Sequence, residues 1–148
     1  MLPASRTEPL ETSYRHMLTL CDRLEAIADA LPRVDGRLCV TTADALEALV
    51  EKTHELEESV LFPLLVASGR PEMNQTVARL RQEHLFDSGA AQEVSETLRD
   101  MAGGHQALPI DAVGYLLRAF FEGMRRHVHG ELDLLGLVLA GRDGKTLN

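Results

Sequence analysis

HELEESVLFPLL, residues His54–Leu65, is the stretch that decides the fold, because a histidine and a glutamate interrupt the apolar face of a predicted helix. The residues of that face recur at three- and four-residue spacing, as on one side of an α-helix: Val50, His54, Glu58, Leu61 and Leu65. Pro63 falls within the same helix and lacks a backbone N–H, so a kink or a looser turn is expected there. The segment predicts a long helix that carries polar groups into the core.

Turn signals on either side of this stretch divide the chain into four long helices. We expect them to cover Glu8–Leu31, Thr42–Ser68, Glu72–Met101 and Pro109–Ala140, with a loop over Pro32–Val40 and breaks at Gly69–Pro71 and Gly103–Pro109. Short connections make neighbouring helices antiparallel, which predicts an all-α, up-down-up-down four-helix bundle. It would form a single domain over residues 1–148, with a core at about 8–140 and a frayed polar tail at 141–148.

Composition and charge narrow the classes of function. The 148 residues carry a formal net charge of -8, which argues against nucleic acid and anionic membranes as partners. Two cysteines, Cys21 and Cys39, are too few for a disulfide framework and do not form a C-x-x-C pair. No apolar run reaches transmembrane length, and Met1–Pro9 is too short and polar for a secretory signal. We therefore expect a cytoplasmic protein.

Four histidines are expected at one height in this bundle: His16, His54, His84 and His127. In antiparallel neighbours, two residues equally far from the connecting turn lie at the same level along the bundle axis. The midpoints of consecutive histidines are residue 35, residue 69 and about residue 105, and each falls in a predicted turn. The spacing predicts a layer of metal ligands across the middle of the four helices.

His127 and Glu131 form a second histidine–glutamate pair that interrupts an apolar row. That row contains Phe120, Met124, Leu134 and Val138. His129 and Asp133 have the same spacing but share a face with polar residues, so this pair is expected at the surface. The comparison indicates that position on the helix, rather than residue type alone, identifies the ligands.

The other two histidines have different surroundings. His84 lies in a near-heptad row of apolar residues on the third helix. His16 aligns with Leu20 and Ile27, but its row also carries Arg23, which places His16 at the edge of the predicted core.

The predicted metal ligands are His16, His54, Glu58, His84, His127 and Glu131, with Glu55 as a candidate extra ligand. Four imidazoles and two bridging carboxylates can hold a dinuclear centre, and this donor set suits iron, manganese or zinc. Bundle cores are a usual place for di-iron carboxylate sites. Because burying these groups without metal is costly, metal should stabilise the fold. Glu57 is expected to be solvated, so its replacement should lower iron content less than that of Glu58.

The alternative is that these histidines are ordinary packing residues. A single H-x-x-x-E match is weak, since about one arises by chance in this composition, and a lone core histidine is more often a hydrogen-bonded packing residue than a ligand. The agreement of faces and heights across the whole set favours metal binding.

The chain resembles the hemerythrin-like (HHE cation-binding) family over roughly residues 8–140. HELEESVLFPLL is similar to the family signature H-x-x-x-E-x-x-[LI]-F-P-x-L, and the match continues in Arg15-His16, Glu83-His84 and His127-x-x-x-Glu131. The resemblance implies a bundle around a non-haem di-iron centre. It also implies that His16 and His54 hold one iron, that His84 and His127 hold the other, and that Glu58 and Glu131 bridge them.

One departure from the family's respiratory oxygen carriers concerns the third helix. Those carriers have two histidines four positions apart there, whereas Leu80 and Ser88 flank His84 at that spacing in this chain. One ligand is therefore missing, and Glu55 or water would fill the gap. The departure argues against simple reversible oxygen carriage.

The first interpretation is a di-iron protein that binds or senses dioxygen or a related diatomic such as nitric oxide, with zinc or manganese as substitute metals. Three alternatives stay open: a di-iron peroxidase or nitric oxide-detoxifying enzyme, an iron storage or delivery protein, and a metal-free interaction bundle. A binding role is favoured over catalysis, and no residue is assigned as catalytic. A sensor would act through a separate signalling partner or as a homodimer.

Overall fold

The computed structural model describes residues 6–105 and 107–146, with side chains described as far as residue 141. The elements in chain order are α1 (Glu8–Ala30), α2 (Gly36–Leu56), a π-helical turn (Glu57–Leu61), α3 (Phe62–Ala67), α4 (Pro71–Ala102) and α5 (Ile110–Thr146). Because α2, the π-helical turn and α3 follow one another without a break, the described residues form four helical rods.

The four rods close into a ring of neighbours. α1 packs against α2 and α5, α2 packs against α4, and α4 contacts α5 more sparsely. This arrangement confirms the predicted all-α four-helix bundle. In the described part of the chain, none of the helices combines the length and the apolar character that a bilayer crossing needs.

The second rod begins six residues before the predicted start at Thr42. Asp35 caps it: the Leu38 backbone N–H donates to Asp35 Oδ1 at 3.1 Å, which satisfies one of the free donors of the first turn. The loop expected over Pro32–Val40 is therefore much shorter. At the other end of the chain, α5 continues to Thr146 rather than ending near Ala140, while residues 147 and 148 of the predicted frayed tail lie outside the described residues.

The looser turn predicted around Pro63 is confirmed. Proline has no N–H to donate to the carbonyl of Ser59, so the α-helical ladder cannot continue there. The helix widens instead, and the Phe62 N–H donates to the carbonyl of Glu57, five residues earlier. The wide turn thus begins one helical turn after His54, at the level of the polar groups described below.

Apolar side chains fill the bundle above and below a polar layer. Tyr14, Phe62 and Phe121 are the largest of the fully buried side chains. Cys21 and Cys39 are free and buried within the same core, and burial raises the pKa of the Cys21 thiol to about 11. Both cysteines therefore behave as small packing residues.

Candidate metal centre

Two rods meet at a histidine stack in the middle of the bundle. The rings of His54 and His84 are stacked with centroids 3.9 Å apart and an interplanar angle of 13°. Phe62 covers the stack, with its ring centroid 5.5 Å from that of His84. Glu57 completes this group, because its Oε1 lies 3.3 Å from His84 Nε2 and the ligand atoms of all three residues lie within 4.8 Å of one another.

A second group of ligand atoms shares Glu57 with the first. It consists of Glu57, His127 and Glu131, and its ligand atoms also lie within 4.8 Å of one another. His127 Nε2 and Glu131 Oε1 are 2.6 Å apart, one turn apart on α5. Glu57 is 1% exposed and Glu131 3% exposed, so both carboxylates are removed from water. The Glu57 carboxylate therefore stands between two compact donor groups.

Tyr14 extends from α1 to both carboxylates. Its hydroxyl lies 2.8 Å from Glu131 Oε2 and 3.1 Å from Glu57 Oε2, in geometry suited to donating to either one. A phenol has one proton, so it donates to only one carboxylate at a time. Burial and the two neighbouring carboxylates raise the Tyr14 pKa far above its ordinary value, which keeps the hydroxyl protonated. Tyr14 thus holds the two carboxylates side by side.

Two further carboxylates of α4 approach His127. Glu83 Oε2 lies 3.3 Å from His127 Nδ1, and Asp87 Oδ2 lies 3.9 Å from His127 Nε2. A carboxylate beside one ring nitrogen of histidine fixes which nitrogen carries the proton and leaves the other as a lone-pair donor. Glu83 is positioned to do this for His127, so that Nε2 faces Glu131 and Asp87.

The electrostatics of the cluster follow from its burial. Burial and the adjacent Glu131 raise the pKa of Glu57, whereas burial is outweighed at Glu131 by His127, Glu57 and Tyr14, which lower its pKa. Burial, with His84 and His127 nearby, lowers the pKa of His54 to about 4.

Four buried atoms of the cluster have no hydrogen-bond partner: His84 Nε2, Asp87 Oδ2, His127 Nε2 and Glu131 Oε1. His127 Nε2 and Glu131 Oε1 are an ion pair at 2.6 Å but are not joined by a hydrogen bond. Buried polar atoms are nearly always paired, and leaving them unpaired is costly. Lone-pair nitrogens and carboxylate oxygens facing a common space are the donors that iron, manganese and zinc accept. The residues present therefore fit a metal centre.

Four of the residues predicted from sequence meet in this cluster, and three do not. His54, His84, His127 and Glu131 lie in it. Glu58 is instead on the outer side of its helix, with a side chain 45% exposed and an ion pair to Arg81 at 3.0 Å. His16 and Glu55 are exposed as well. His129 and Asp133 are exposed, as expected for a surface pair.

Glu57 takes the inward position expected for Glu58 because two apolar rows are compatible with this helix. The predicted row passes from Val50 to Leu61 through His54 and Glu58, whereas the buried row passes through Thr53 and Glu57. Both routes use steps of three and four residues, so helical periodicity permits either.

His16 lies outside the cluster because it is on another face of α1. The inward row of that helix passes through Leu10, Ser13, Tyr14 and Met17, which are buried, whereas His16 is exposed. Its side chain lines an outer groove beside Arg23 and Lys52.

Sequence reasoning missed four contributors to the cluster: Tyr14, Glu57, Glu83 and Asp87. For two of them, the sequence contains a spacing that places the residue on the inward face of its helix. Asp87 follows His84 by three residues and so shares its face of α4. Tyr14 lies between Leu10 and Met17 in an apolar row whose three members are buried.

The fold and the cluster together define a four-helix bundle with histidine and carboxylate donors of the metal-binding kind in its core. The hemerythrin HHE cation binding domain family matches residues 7–136, and the chain belongs to that family. Comparison with curated proteins and comparison with solved structures give no match. Family membership and the donor groups both support metal binding in general.

Tyr14→Phe should destabilise the metal-free protein by about 1.5–3 kcal/mol, because it removes a hydrogen bond to a buried carboxylate. Tyr115→Phe is the matched control, since Tyr115 is 78% exposed, and it should change stability by less than about 0.5 kcal/mol. Urea unfolding of both variants measures the difference. Equal midpoints for the two variants would show that the Tyr14 hydroxyl does not support the carboxylates.

The lowered pKa of His54 predicts a pH dependence of metal-free stability. Between its ordinary value of 6.5 and about 4, the unfolded chain binds a proton at His54 that the folded protein does not. The contribution of His54 to the free energy of unfolding is therefore fully present above pH 6.5 and is lost as the pH falls towards 4. Wild type should lose more stability over this window than His54→Asn, which has no proton to bind. Urea midpoints at several pH values test this, and parallel curves would contradict it.

Proposed function

We propose that this protein holds a non-haem di-iron centre and serves to bind or sense dioxygen or a related diatomic molecule such as nitric oxide. One observation carries the proposal: the buried carboxylate of Glu57 belongs to two separate groups of ligand atoms, each within 4.8 Å. A carboxylate shared in this way is suited to bridging two ions. When bound, the ions would supply redox chemistry and open coordination positions for a small ligand.

The two groups of ligand atoms would each hold one of the two ions. His54 and His84 would hold one ion, His127 and Glu131 would hold the other, and Glu57 would contact both. Imidazole and carboxylate donors without thiolate suit iron, and also permit manganese or zinc. This assignment replaces Glu58 by Glu57 and leaves His16 out of the ligand set.

Other side chains of the chain would prepare these donors. Glu83 would hold the proton of the His127 ring at Nδ1, and Tyr14 would orient the two buried carboxylates. Phe62 stacks on His84 and excludes water from that side of the ring. Preorganised donors of this kind lose little freedom when a ligand arrives.

An outer cavity of about 790 Å³ gives access to the centre from the groove between α2 and α4. His54 lies in its wall beside Ser88, whose Oγ is 3.5 Å from His54 Nδ1. A diatomic molecule is far smaller than this cavity. The small ligand would therefore reach the His54 side of the centre without opening of the bundle.

The same cavity favours a second candidate function, iron storage or delivery. Five glutamates line it: Glu47, Glu51, Glu55, Glu58 and Glu96. Arg99 and Arg81 neutralise part of this charge, yet acidic residues outnumber basic ones. An acidic wall next to a ligand raises the local concentration of cations. Glu55 and Glu58 would then guide the metal rather than bind it permanently.

Metal analysis and visible spectroscopy test the first function. Protein reconstituted anaerobically with ferrous iron should contain about two ions per chain, as in di-iron carboxylate bundles. Exposure to dioxygen or nitric oxide should change its visible spectrum. Iron-loaded protein whose spectrum responds to neither gas would contradict a binding or sensing role.

Exchange kinetics separate the two candidates. A binding or sensing centre should keep its iron during prolonged exposure to a ferrous chelator, whereas a storage or delivery protein should release it readily. Sustained consumption of peroxide or nitric oxide by the loaded protein would favour the enzymatic alternative instead.

A further inference from the structure

We propose that Asp87 is a ligand of the ion on the His127 side of the centre, so that the two halves of the centre bind metal unequally. The inference rests on the proposed dinuclear site and adds to it a ligand that the sequence signature does not contain. It also identifies which kind of ion each half prefers.

The placement of Asp87 is the first support. It projects from α4 one turn after His84, and its Oδ2 is buried, has no hydrogen-bond partner and lies 3.9 Å from His127 Nε2. Glu131 Oε1 is likewise unpartnered, on a residue only 3% exposed, and lies 2.6 Å from the same nitrogen. Two carboxylate oxygens that make no hydrogen bond therefore lie beside one imidazole nitrogen that makes none.

A simple ion pair with His127 does not account for Asp87. Glu83 already lies at the Nδ1 side of the ring at 3.3 Å, and Glu131 is nearest to Nε2. Asp87 is too far from Nε2 for a hydrogen bond. Donors that share one ion at about 2.0–2.2 Å each lie roughly 3–4 Å apart, and the Asp87–His127 separation of 3.9 Å falls in that range. Asp87 is outside the group of Glu57, His127 and Glu131, whose ligand atoms all lie within 4.8 Å of one another, and would join them as a further ligand.

The two halves then differ in their donors. The first half has two imidazole nitrogens, from His54 and His84, together with Glu57. The second half has one imidazole nitrogen, from His127, and three carboxylates, from Glu57, Glu131 and Asp87. Oxygen-rich sites favour hard ions such as manganese, whereas nitrogen-rich sites favour zinc. Zinc should fill the first half before the second, and manganese should prefer the second.

The test is a titration of the metal-free full-length protein with zinc and with manganese, against a chromophoric chelator. Asp87→Asn keeps the size of the side chain and removes its charge. Asp100→Asn is the matched control, because Asp100 is an exposed aspartate on the same helix. Circular dichroism of each metal-free variant monitors the fold, so that loss of binding is separated from loss of structure.

We expect wild type and Asp100→Asn to bind two zinc ions, with the second weaker than the first. Asp87→Asn should weaken the second zinc and the manganese by at least about tenfold, since loss even of a residue that only supports a ligand costs 10- to 100-fold, while the first zinc keeps its affinity. Two ions bound to Asp87→Asn with wild-type affinities would overturn this inference alone, as would equal weakening of both ions. Wild type that binds no second ion would overturn the proposed dinuclear function and the inference with it.

Discussion

Glu57→Gln should remove most of the metal from this protein, whereas Glu58→Gln should leave its metal content nearly unchanged. Among the described residues, Glu57 is the one that belongs to both groups of ligand atoms, and it is 1% exposed. Glutamine keeps the size and the contact with Tyr14 but offers a single neutral oxygen. Loss of a supporting residue alone costs 10- to 100-fold in metal affinity, so loss of a bridging ligand should cost at least about 100-fold.

Glu58→Gln is a close control, because the two residues are adjacent and chemically identical. Glu58 is half exposed and bonded to Arg81, and an exposed ion pair contributes little to stability. Elemental analysis after identical reconstitution compares the two variants. The row predicted from the sequence, through His54 and Glu58, makes Glu58 the ligand and predicts the opposite ranking. A lower metal content in Glu58→Gln than in Glu57→Gln would therefore contradict the inward position of Glu57.

Metal binding should raise the melting temperature by roughly 10–20 °C when free ferrous iron, kept anaerobic, is at about 100 times the dissociation constant of each of the two proposed positions. Each ion at that excess stabilises the folded state by about 2.7 kcal/mol, so two ions contribute about 5.4 kcal/mol. For a chain of this size each kcal/mol raises the melting temperature by roughly 2–4 °C. The physical reason is that a metal ion would satisfy ligand atoms of His84, His127 and Glu131 that are buried and make no hydrogen bond.

Thermal unfolding followed by circular dichroism, with iron and with chelator, measures this stabilisation. The Glu57→Gln variant is the control, since it should melt at the same temperature under both conditions. A wild-type melting temperature that does not respond to iron would mean that the cluster is satisfied without metal, as in a metal-free interaction bundle.

The heights of three histidines could be predicted from the turns alone. The midpoint of His54 and His84 is residue 69, in the second turn, and the two rings are stacked at one level. The midpoint of Glu83 and His127 is residue 105, in the third turn, and these two side chains are in contact. These predictions succeeded because short connections leave little freedom in how neighbouring helices are staggered. His16 differs because it lies on the outward face of α1, whose buried row passes through Tyr14 and Met17.

The choice of the inward glutamate could not be made from the sequence. Two rows of correct spacing join Val50 to Leu61, and only contacts with other helices distinguish them. Those contacts are the hydrogen bond between Ser13 and Thr53 and the donation from Tyr14, both made by α1. Helical periodicity is a property of one segment, whereas this choice depends on the rotation of two segments against each other.

The measurement that tests the central claim most directly is anomalous scattering at the iron edge from crystals of the iron-loaded protein. Two peaks are expected, both at ligand distance from the carboxylate of Glu57, with one beside His54 and His84 and the other beside His127 and Glu131. A single peak, or peaks beside Glu58 or His16 and away from Glu57, would contradict the claim that two ions share the carboxylate of Glu57.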